Sequence, residues 1–310
     1  MKPLPRDLPA LAAGGKAALA RCLSALESAS GDPGLTRLLD AAWQAPRGVA
    51  LGLTGPPGVG KSTLANSLVR KLRQSGQTVG VVAVDPSSGV SGGALLGDRA
   101  RMELDPDDPG VFVRSMAAGR HLGGLARPAF PAVVLMRACF DWVLVETVGV
   151  GQSETEIAEC ADLVLLCVQP GSGDALQFMK AGIMEVPDLV LVTKGDLGVP
   201  ARRAARDLRG ALSLAVGQEA RVALVSAHTG EGLDGAVALV AAARDAIGDL
   251  AGRRRAQVRA WASAHLLESF GTIGFAALAP LRPDLEAPFA WLRCLENQVS
   301  GLVNEVLKTV

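Results

Sequence analysis

Short apolar runs recur along the chain, and stretches with apolar residues at helical spacing separate them. Six of the runs predict β-strands: VALGLT, TVGVVAVD, DWVLVET, ADLVLLCVQ, DLVLVTK and RVALVSA. A strand that is apolar throughout is typical of a parallel sheet buried on both faces. Alternation of such strands with helices predicts an α/β fold built on a doubly wound, mostly parallel sheet.

The two ends of the chain carry helical patterns without strands. Residues 8–42 show helical spacing that SGDPG interrupts, with a second short helix expected at 34–43. Beyond residue 250, two amphipathic stretches flank the turn PLRPDLEAP. They either cover one face of the sheet or form an arm for dimerisation or partner binding. The predicted division is an N-terminal helical extension (1–47), a central α/β domain (48–249) and a C-terminal helical segment (250–310).

Composition and charge narrow the function classes. Hydrophobic residues make up 49% of the 310 residues, and charged residues 20%, which is typical of a folded globular chain. A formal net charge of +0 argues against nucleic acid or an anionic membrane as partner. Charges interrupt the apolar N-terminus, so it resembles neither a signal peptide nor a membrane span. The RRR run at 253–255 is interpreted as a solvated helix face.

Cysteine usage indicates the compartment. The five cysteines include no C-x-x-C pair, and three of them lie in or beside apolar runs. Buried free thiols in a reducing cytosol explain this pattern better than disulfides or a metal site. We therefore expect a cytoplasmic protein.

Polar residues follow the predicted strands at the points where the strands end. In open α/β sheets, ligands bind at the carboxyl ends of the strands. These positions therefore predict where a site would form. They are Thr54, Asp85, Glu146, Thr193 and Ser226.

The segment GPPGVGKST matches G-x-x-x-x-G-K-[ST] and stands between a predicted strand and a predicted helix. Backbone N–H groups of such a loop surround a β-phosphate, and the helix N-terminus adds partial positive charge. Lys61 would reach the β- and γ-phosphates, and the Ser62 hydroxyl would bind Mg²⁺. A glycine-rich turn without a ligand is the alternative. The predicted phosphate-binding residues are Gly55, Pro56, Pro57, Gly58, Val59, Gly60, Lys61, Ser62 and Thr63.

Acidic residues are expected near the metal of such a loop, in direct contact or through water. Asp85 and Glu146 end predicted strands, and Asp98 lies in GGALLGDRARM, although each could instead cap a helix or turn. Gly149, three residues after Glu146, would let a backbone N–H approach the γ-phosphate. The predicted metal ligands are Ser62, Asp85, Asp98 and Glu146, and the predicted catalytic residues are Lys61, Asp98, Glu146 and Gly149.

The segment LVTKGDLG nearly matches Asn-Lys-x-Asp, which reads guanine. Asp196 would accept two N–H bonds from guanine that adenine cannot offer. The Lys194 stem would lie along the base, and Thr193 replaces the usual Asn with a shorter hydroxyl. Two unrelated strand ends remain the alternative. The predicted base-binding residues are Thr193, Lys194, Asp196, Ser226, Ala227 and His228.

Taken together, four segments resemble the MeaB/ArgK GTPases over roughly residues 45–235. They are GPPGVGKSTL, VAVDPSSGVSGGALLGDRARM, VFVRSMAAGRHLGGLAR and the stretch from DWVLVETVGVGQSE to VTKGDL. The resemblance implies a Mg²⁺-dependent GTPase that binds GTP and GDP, usually as a homodimer. It also implies a chaperone that gates cofactor loading and protects a cobalamin-dependent acyl-CoA mutase, such as methylmalonyl-CoA mutase.

The resemblance also implies two switch segments. The first is Gly149–Gln152. The second is an extra switch segment at 170–180, in which Asp174 and Lys180 are candidate residues for coupling to the partner. The chain departs from the family at Thr193, but signal-recognition-particle GTPases are similar in using T-K-x-D. It also departs at Ala175 and Phe178, where the family pattern has Glu and Gly; these departures concern partner coupling and not nucleotide binding.

Val150 rather than Gln follows Gly149, so we predict slow intrinsic turnover that a partner raises. Three alternatives stay open. A metal-insertion GTPase would carry a Cys- or His-rich site, but the three histidines are far apart. A kinase would require a site for the phosphate acceptor with a catalytic base, and no motif in the sequence indicates such a site. A nucleotide-gated adaptor would bind GTP without turnover.

Overall fold

A computed structural model describes residues 3–28, 31–85, 104–117, 128–147, 157–171, 187–216, 221–278 and 281–309. Within these ranges the chain forms a seven-stranded, all-parallel sheet with the order β3-β2-β4-β1-β5-β6-β7. The strands are β1 (Val49–Thr54), β2 (Val79–Asp85), β3 (Val111–Ala117), β4 (Trp142–Glu146), β5 (Leu163–Val168), β6 (Leu189–Val192) and β7 (Val222–Leu224). The predicted α/β class and the parallel sheet are confirmed.

Helices cover both faces of the sheet. They are α1 (Leu8–Glu27), α2 (Pro33–Gln44), α3 (Lys61–Gln74), α4 (Ala129–Arg137), α5 (Val199–Val216), α6 (Leu233–Asp245), α7 (Leu250–Leu278) and α8 (Pro288–Thr309). Two 3-10 turns lie at Ile157–Glu159 and Gly195–Leu197. Apolar residues of α3 and α6 form one core with the strands, while α1, α2 and α4 form another on the opposite face. The sheet is therefore the middle of three layers.

The sequence predicts six strands, and the structure adds a seventh, the edge strand β3. Arg114 and Ser115 interrupt its apolar pattern, and both are only half-buried. The Arg114 guanidinium pairs with the Glu27 carboxylate on α1. An edge strand packs on one neighbour only, so the continuous apolar run that marks the central strands is not required here.

The N-terminal and C-terminal helices pack together. The Asp40 carboxylate on α2 accepts hydrogen bonds from the backbone N–H groups of Phe289 (2.9 Å) and Ala290 (3.0 Å), at the start of α8. The Trp43 indole donates to the carbonyl oxygen of Leu285 at 2.8 Å. These contacts place the start of α8 against α2; that the C-terminal segment covers one face of the sheet stays a prediction. The dimerisation arm stays a prediction.

The interpretation of RRR as a solvated face is wrong for Arg254. This side chain is buried and ion-pairs with Asp162, whereas Arg255 is exposed. Among the described residues, no helix combines the length and the apolar character that crossing a membrane requires. All five cysteines are free thiols. Of the three beside apolar runs, Cys160 and Cys167 are buried, as expected, whereas Cys139 is only half-buried; Cys22 is buried as well.

Candidate nucleotide-binding site

The phosphate-loop segment connects β1 to α3 at the carboxyl edge of the sheet. Gly58 (φ +75°) and Gly60 (φ +96°) adopt left-handed conformations that glycine tolerates without a steric penalty. A Cβ at Gly55 would lie 2.2 Å from the carbonyl oxygen of Cys167 on β5. The glycines of the motif are thus required by the turn itself and by its close approach to β5.

Lys61 is the first residue of α3 and is buried, with 6% of its surface exposed. Its ammonium donates to the carbonyl oxygens of Gly55 at 2.8 Å and Pro56 at 3.1 Å. The cation therefore lies inside the loop, beside the positive end of the α3 dipole. Thr63, two residues after Lys61, is exposed, whereas Val59 within the loop is buried.

Ser62 and Glu146 bring a hydroxyl and a carboxylate together next to the loop. The Ser62 hydroxyl donates to Oε1 of Glu146 at 2.6 Å, and Glu146 is the last residue of β4 and 3% exposed. Both groups present the hard oxygen ligands that Mg²⁺ prefers, so the pair fits this ion.

Other predicted metal and switch residues are only partly covered by the structure. Asp85 ends β2, as predicted, but its side chain lies outside the described residues. Outside them altogether lie Asp98, Gly149 with the rest of the predicted switch, and Asp174, Ala175, Phe178 and Lys180. The described residues contain no cluster of three or more His, Cys, Asp or Glu side chains suited to a metal.

The predicted base-reading segment, residues 193–196, follows β6 and is bonded to the phosphate loop, residues 55–63. The Thr193 hydroxyl lies 2.8 Å from the carbonyl oxygen of Val59 and 3.1 Å from that of Val168. Lys194 has φ +55°, the only positive φ of a non-glycine residue in the described part of the chain. Its ammonium donates to the carbonyl oxygen of Gly58 at 3.1 Å. Two neighbouring side chains thus join the base-reading segment to the phosphate loop.

Asp196 lies in the 3-10 turn Gly195–Leu197 and is oriented by Ser226, which follows β7. The Ser226 hydroxyl donates to Oδ1 of Asp196 at 2.6 Å, and this bond holds the pKa of the Asp196 carboxyl below its ordinary value. The carboxylate is therefore ionised at neutral pH and ready to accept N–H groups. Ala227 is half-buried, and His228 is exposed beside it.

The family model described as Methylmalonyl Co-A mutase-associated GTPase MeaB matches residues 19–272. The chain belongs to this family of GTPases. A Caulobacter vibrioides protein that is also named as a GTPase is 40% identical over 295 residues, covering 89% of each chain. The mouse protein named Methylmalonic aciduria type A homolog, mitochondrial, is 40% identical over 68% of this chain and 53% of its own length. The GTPase ArgK of Escherichia coli is 44% identical over 52% of this chain and 49% of its own.

Solved structures agree with this family assignment. A crystal structure described as an LAO/AO transport system kinase is similar with a TM-score of 0.61 and 28% identity, covering 94% of this chain and 96% of that one. HypB from Helicobacter pylori, solved in complex with nickel, has a TM-score of 0.52 and 17% identity, covering 68% and 94%. The second likeness concerns the fold alone.

In this MeaB-family chain, the structure shows two side-chain contacts in the candidate site that were not predicted from the sequence. One is the bond from the Ser226 hydroxyl to Asp196: Ser226 is among the predicted base-binding residues, but this contact was not predicted. The other is Gln169, which follows β5 and accepts a hydrogen bond from the Lys194 ammonium. The available signal was the same for both: a polar residue just beyond the carboxyl end of a buried strand.

Proposed function

We propose that the protein is a Mg²⁺-dependent GTPase that acts as a chaperone for a cobalamin-dependent acyl-CoA mutase, with methylmalonyl-CoA mutase as the first candidate. The family description and the name of the mouse relative support the choice of partner. The observation that carries the nucleotide part is the bonding of the base-reading segment to the phosphate loop through Thr193 and Lys194. Such bonding would hold the two ends of one GTP molecule at a fixed separation.

In this proposal each end of the nucleotide meets its own charges. The Lys61 ammonium would exchange its two carbonyl acceptors for phosphate oxygens, and the loop N–H groups and the α3 N-terminus would add positive potential. Asp196, oriented by Ser226, would accept the two guanine N–H groups. Ser62, with Glu146 beside it, would hold Mg²⁺, which when bound neutralises charge on the β- and γ-phosphates.

Hydrolysis would be an in-line attack of water on the γ-phosphate. The charge that develops on the transferred group would be stabilised by Lys61 and by backbone N–H groups already in place. The catalytic roles of Asp98, Glu146 and Gly149, the metal role of Asp85 and the switch at Gly149–Gln152 belong to this proposal. So do a homodimer, a cytoplasmic location and the division of the chain at residues 47 and 249.

The test is GTP turnover by the purified protein, measured by phosphate release, with and without Mg²⁺ and with and without methylmalonyl-CoA mutase. We expect slow turnover alone, dependence on Mg²⁺, and a several-fold increase when the mutase is added. A second assay follows the loss of mutase activity during turnover, which the chaperone should slow only with GTP present. Rapid turnover without the mutase would contradict the proposal, and tight GTP binding without phosphate release would favour the nucleotide-gated adaptor.

A further inference from the structure

The start of α7 binds the amino edge of the sheet, opposite the nucleotide site. The Arg254 guanidinium makes a two-pronged contact with Asp162, with Nε 2.9 Å from Oδ1 and Nη2 2.8 Å from Oδ2. Its Nη2 also donates to the carbonyl oxygen of Gly48 at 2.8 Å. Gly48 directly precedes β1, and Asp162 directly precedes β5. One arginine of the C-terminal segment thus joins the residues that directly precede two central strands.

Asp162 is fully buried and has further partners. Its Oδ2 accepts the backbone N–H of Ala50 on β1 at 2.8 Å and lies 3.3 Å from Nε of Arg137 on α4. Burying charges is expensive unless they are paired and hydrogen-bonded, and breaking such a cluster is more costly still. The cluster therefore fixes one arrangement of α7, α4 and β1.

Gln257, one turn further along α7, binds the 3-10 turn Ile157–Glu159. Its Nε2 donates to the carbonyl oxygens of Ala158 at 3.0 Å and Ala161 at 2.6 Å. Gln257 is 3% exposed, so the carbonyls would have no water to replace this amide. A single side chain of α7 thus holds both ends of the segment that leads into β5.

The 3-10 turn itself presses against β1. A Cβ at Gly52 would lie only 2.6 Å from Cγ1 of Ile157 and 2.9 Å from Cβ of Ala161. Gly52 stands three residues before Gly55, where the phosphate loop begins. Contacts therefore run without interruption from α7, through the 3-10 turn, to the strand that supports the phosphate loop.

We infer that Gln257 and Arg254 are positioning residues of the GTPase site, through which the placement of α7 sets the rate of GTP hydrolysis. Neither side chain contacts the phosphate loop or the base-reading segment among the described contacts, so both act through the 3-10 turn, Asp162 and β1. A partner that binds the C-terminal helices and displaces α7 would then change turnover. That last step rests on the proposed function.

The test compares Gln257→Leu with Arg255→Leu. Leucine has a volume similar to that of glutamine, but it removes both donor bonds and the Oε1 that accepts from Nη2 of Arg137 at 3.4 Å. Arg255, by contrast, is exposed on the same helix. We expect kcat for GTP to fall about five-fold in Gln257→Leu, within the range found for residues that touch neither ligand. KM and the affinity for GDP should change less than two-fold, and Arg255→Leu should match the wild type. Hydrogen exchange should accelerate at the amides of residues 160–162 only in Gln257→Leu.

A purely structural role would lower the free energy of unfolding without separating kcat from KM. Unchanged kcat and unchanged exchange in a folded Gln257→Leu protein would overturn the inference. If Gln257→Leu fails to fold, Arg254→Lys serves instead, because it keeps the charge but loses the two-pronged contact. A wild-type protein that binds GTP without hydrolysing it would refute the proposed function and the inference together, whereas normal wild-type hydrolysis with unchanged kcat and exchange in Gln257→Leu would refute the inference alone.

Discussion

The Thr193 hydroxyl donates a hydrogen bond to the carbonyl oxygen of Val59, 2.8 Å away, and so joins the base-reading segment to the phosphate loop. A hydroxyl carries one proton, so the contact with the carbonyl oxygen of Val168 at 3.1 Å shares or alternates with the first. Thr193 is 5% exposed and faces these carbonyls. We therefore propose that the threonine in place of the usual asparagine holds the two loops together, and that Asp196 recognises the base.

Thr193→Val tests this role, because it keeps the shape and removes the hydroxyl. The carbonyl oxygen of Val59 would lose this donor at a cost of about 1–3 kcal/mol, whereas that of Val168 keeps the backbone N–H of Thr193 at 2.8 Å. We expect GTP and GDP to bind roughly ten-fold more weakly, and by equal factors, since the contact supports the loop and not the γ-phosphate. Titration calorimetry with both nucleotides measures this. Thr193→Ser should retain the wild-type affinity and Thr193→Asn should change it modestly, whereas an unchanged Thr193→Val protein would contradict the role.

Asp196→Asn should abolish the preference for guanine. The amide would present a donor to the guanine N–H groups, and a site built for hydrogen bonds discriminates strongly when one is lost. We expect GTP affinity to fall at least 100-fold, to the level of ATP, in competition with a fluorescent GDP. Ser226→Ala should cause a smaller loss of roughly ten-fold, because it keeps the Asp196 carboxylate and removes the bond that orients it, together with the bond that the Ser226 oxygen accepts from the backbone N–H of Thr229. Retention of guanine preference in Asp196→Asn would assign recognition to other residues.

Glu146→Gln should impair metal-dependent turnover while the fold is kept. Glutamine still accepts the Ser62 hydroxyl, but the negative charge beside the phosphate loop is lost. We expect kcat to fall about 100-fold, typical for removal of one electrostatic contributor, and half-saturation to require roughly ten-fold more Mg²⁺. Turnover measured across a Mg²⁺ titration checks both effects. Ser67→Ala, a change at a half-buried serine of α3 outside the predicted site, should behave as wild type. An unaltered Mg²⁺ titration in Glu146→Gln would argue against a metal-side role.

Structural features that depend on neighbouring residues could be predicted from the sequence. Contacts between residues far apart in the chain could not. The phosphate loop could be recognised in the sequence because its glycines, Lys61 and Ser62 lie close together between a predicted strand and a predicted helix. Arg254 was misread because its partner Asp162 is 92 positions away, and a run of arginines by itself indicates solvent exposure. The Gln257 contacts left no local signal either. Burial of a charge is decided by which elements the fold brings together.

Asp162→Asn tests the buried charge cluster through stability. Burial alone would raise the pKa of the Asp162 carboxyl, but the charge of Arg137 and the hydrogen bonds from Arg254 outweigh it, so the pKa lies below its ordinary value. Loss of the carboxylate would leave two arginines without their counter-charge. We expect the free energy of unfolding to fall by about 3–5 kcal/mol at pH 7, measured by urea denaturation.

The same variant predicts a pH dependence. A carboxyl whose folded pKa is lowered stabilises fully above its unfolded pKa, about 3.9, and loses this contribution as the pH falls through the folded pKa. The stability difference between wild type and Asp162→Asn should therefore be constant from pH 5 to 8 and shrink below about pH 4. A difference that persists undiminished at pH 3 would show that packing, and not charge, causes the loss.

Gly52→Ala tests the contact between β1 and the 3-10 turn. The added methyl would meet Ile157 and Ala161 at distances that atoms do not tolerate, so backbone or side chain must shift. Overpacking of this kind typically costs about 1–3 kcal/mol, and we expect that loss in urea denaturation. Ile157→Ala should destabilise the wild type through the cavity it leaves, yet cost less in the Gly52→Ala background, where it relieves the clash. A double-mutant cycle with a favourable coupling of at least about 1 kcal/mol is the expected result, and additive effects would mean that β1 and the 3-10 turn are not in direct contact.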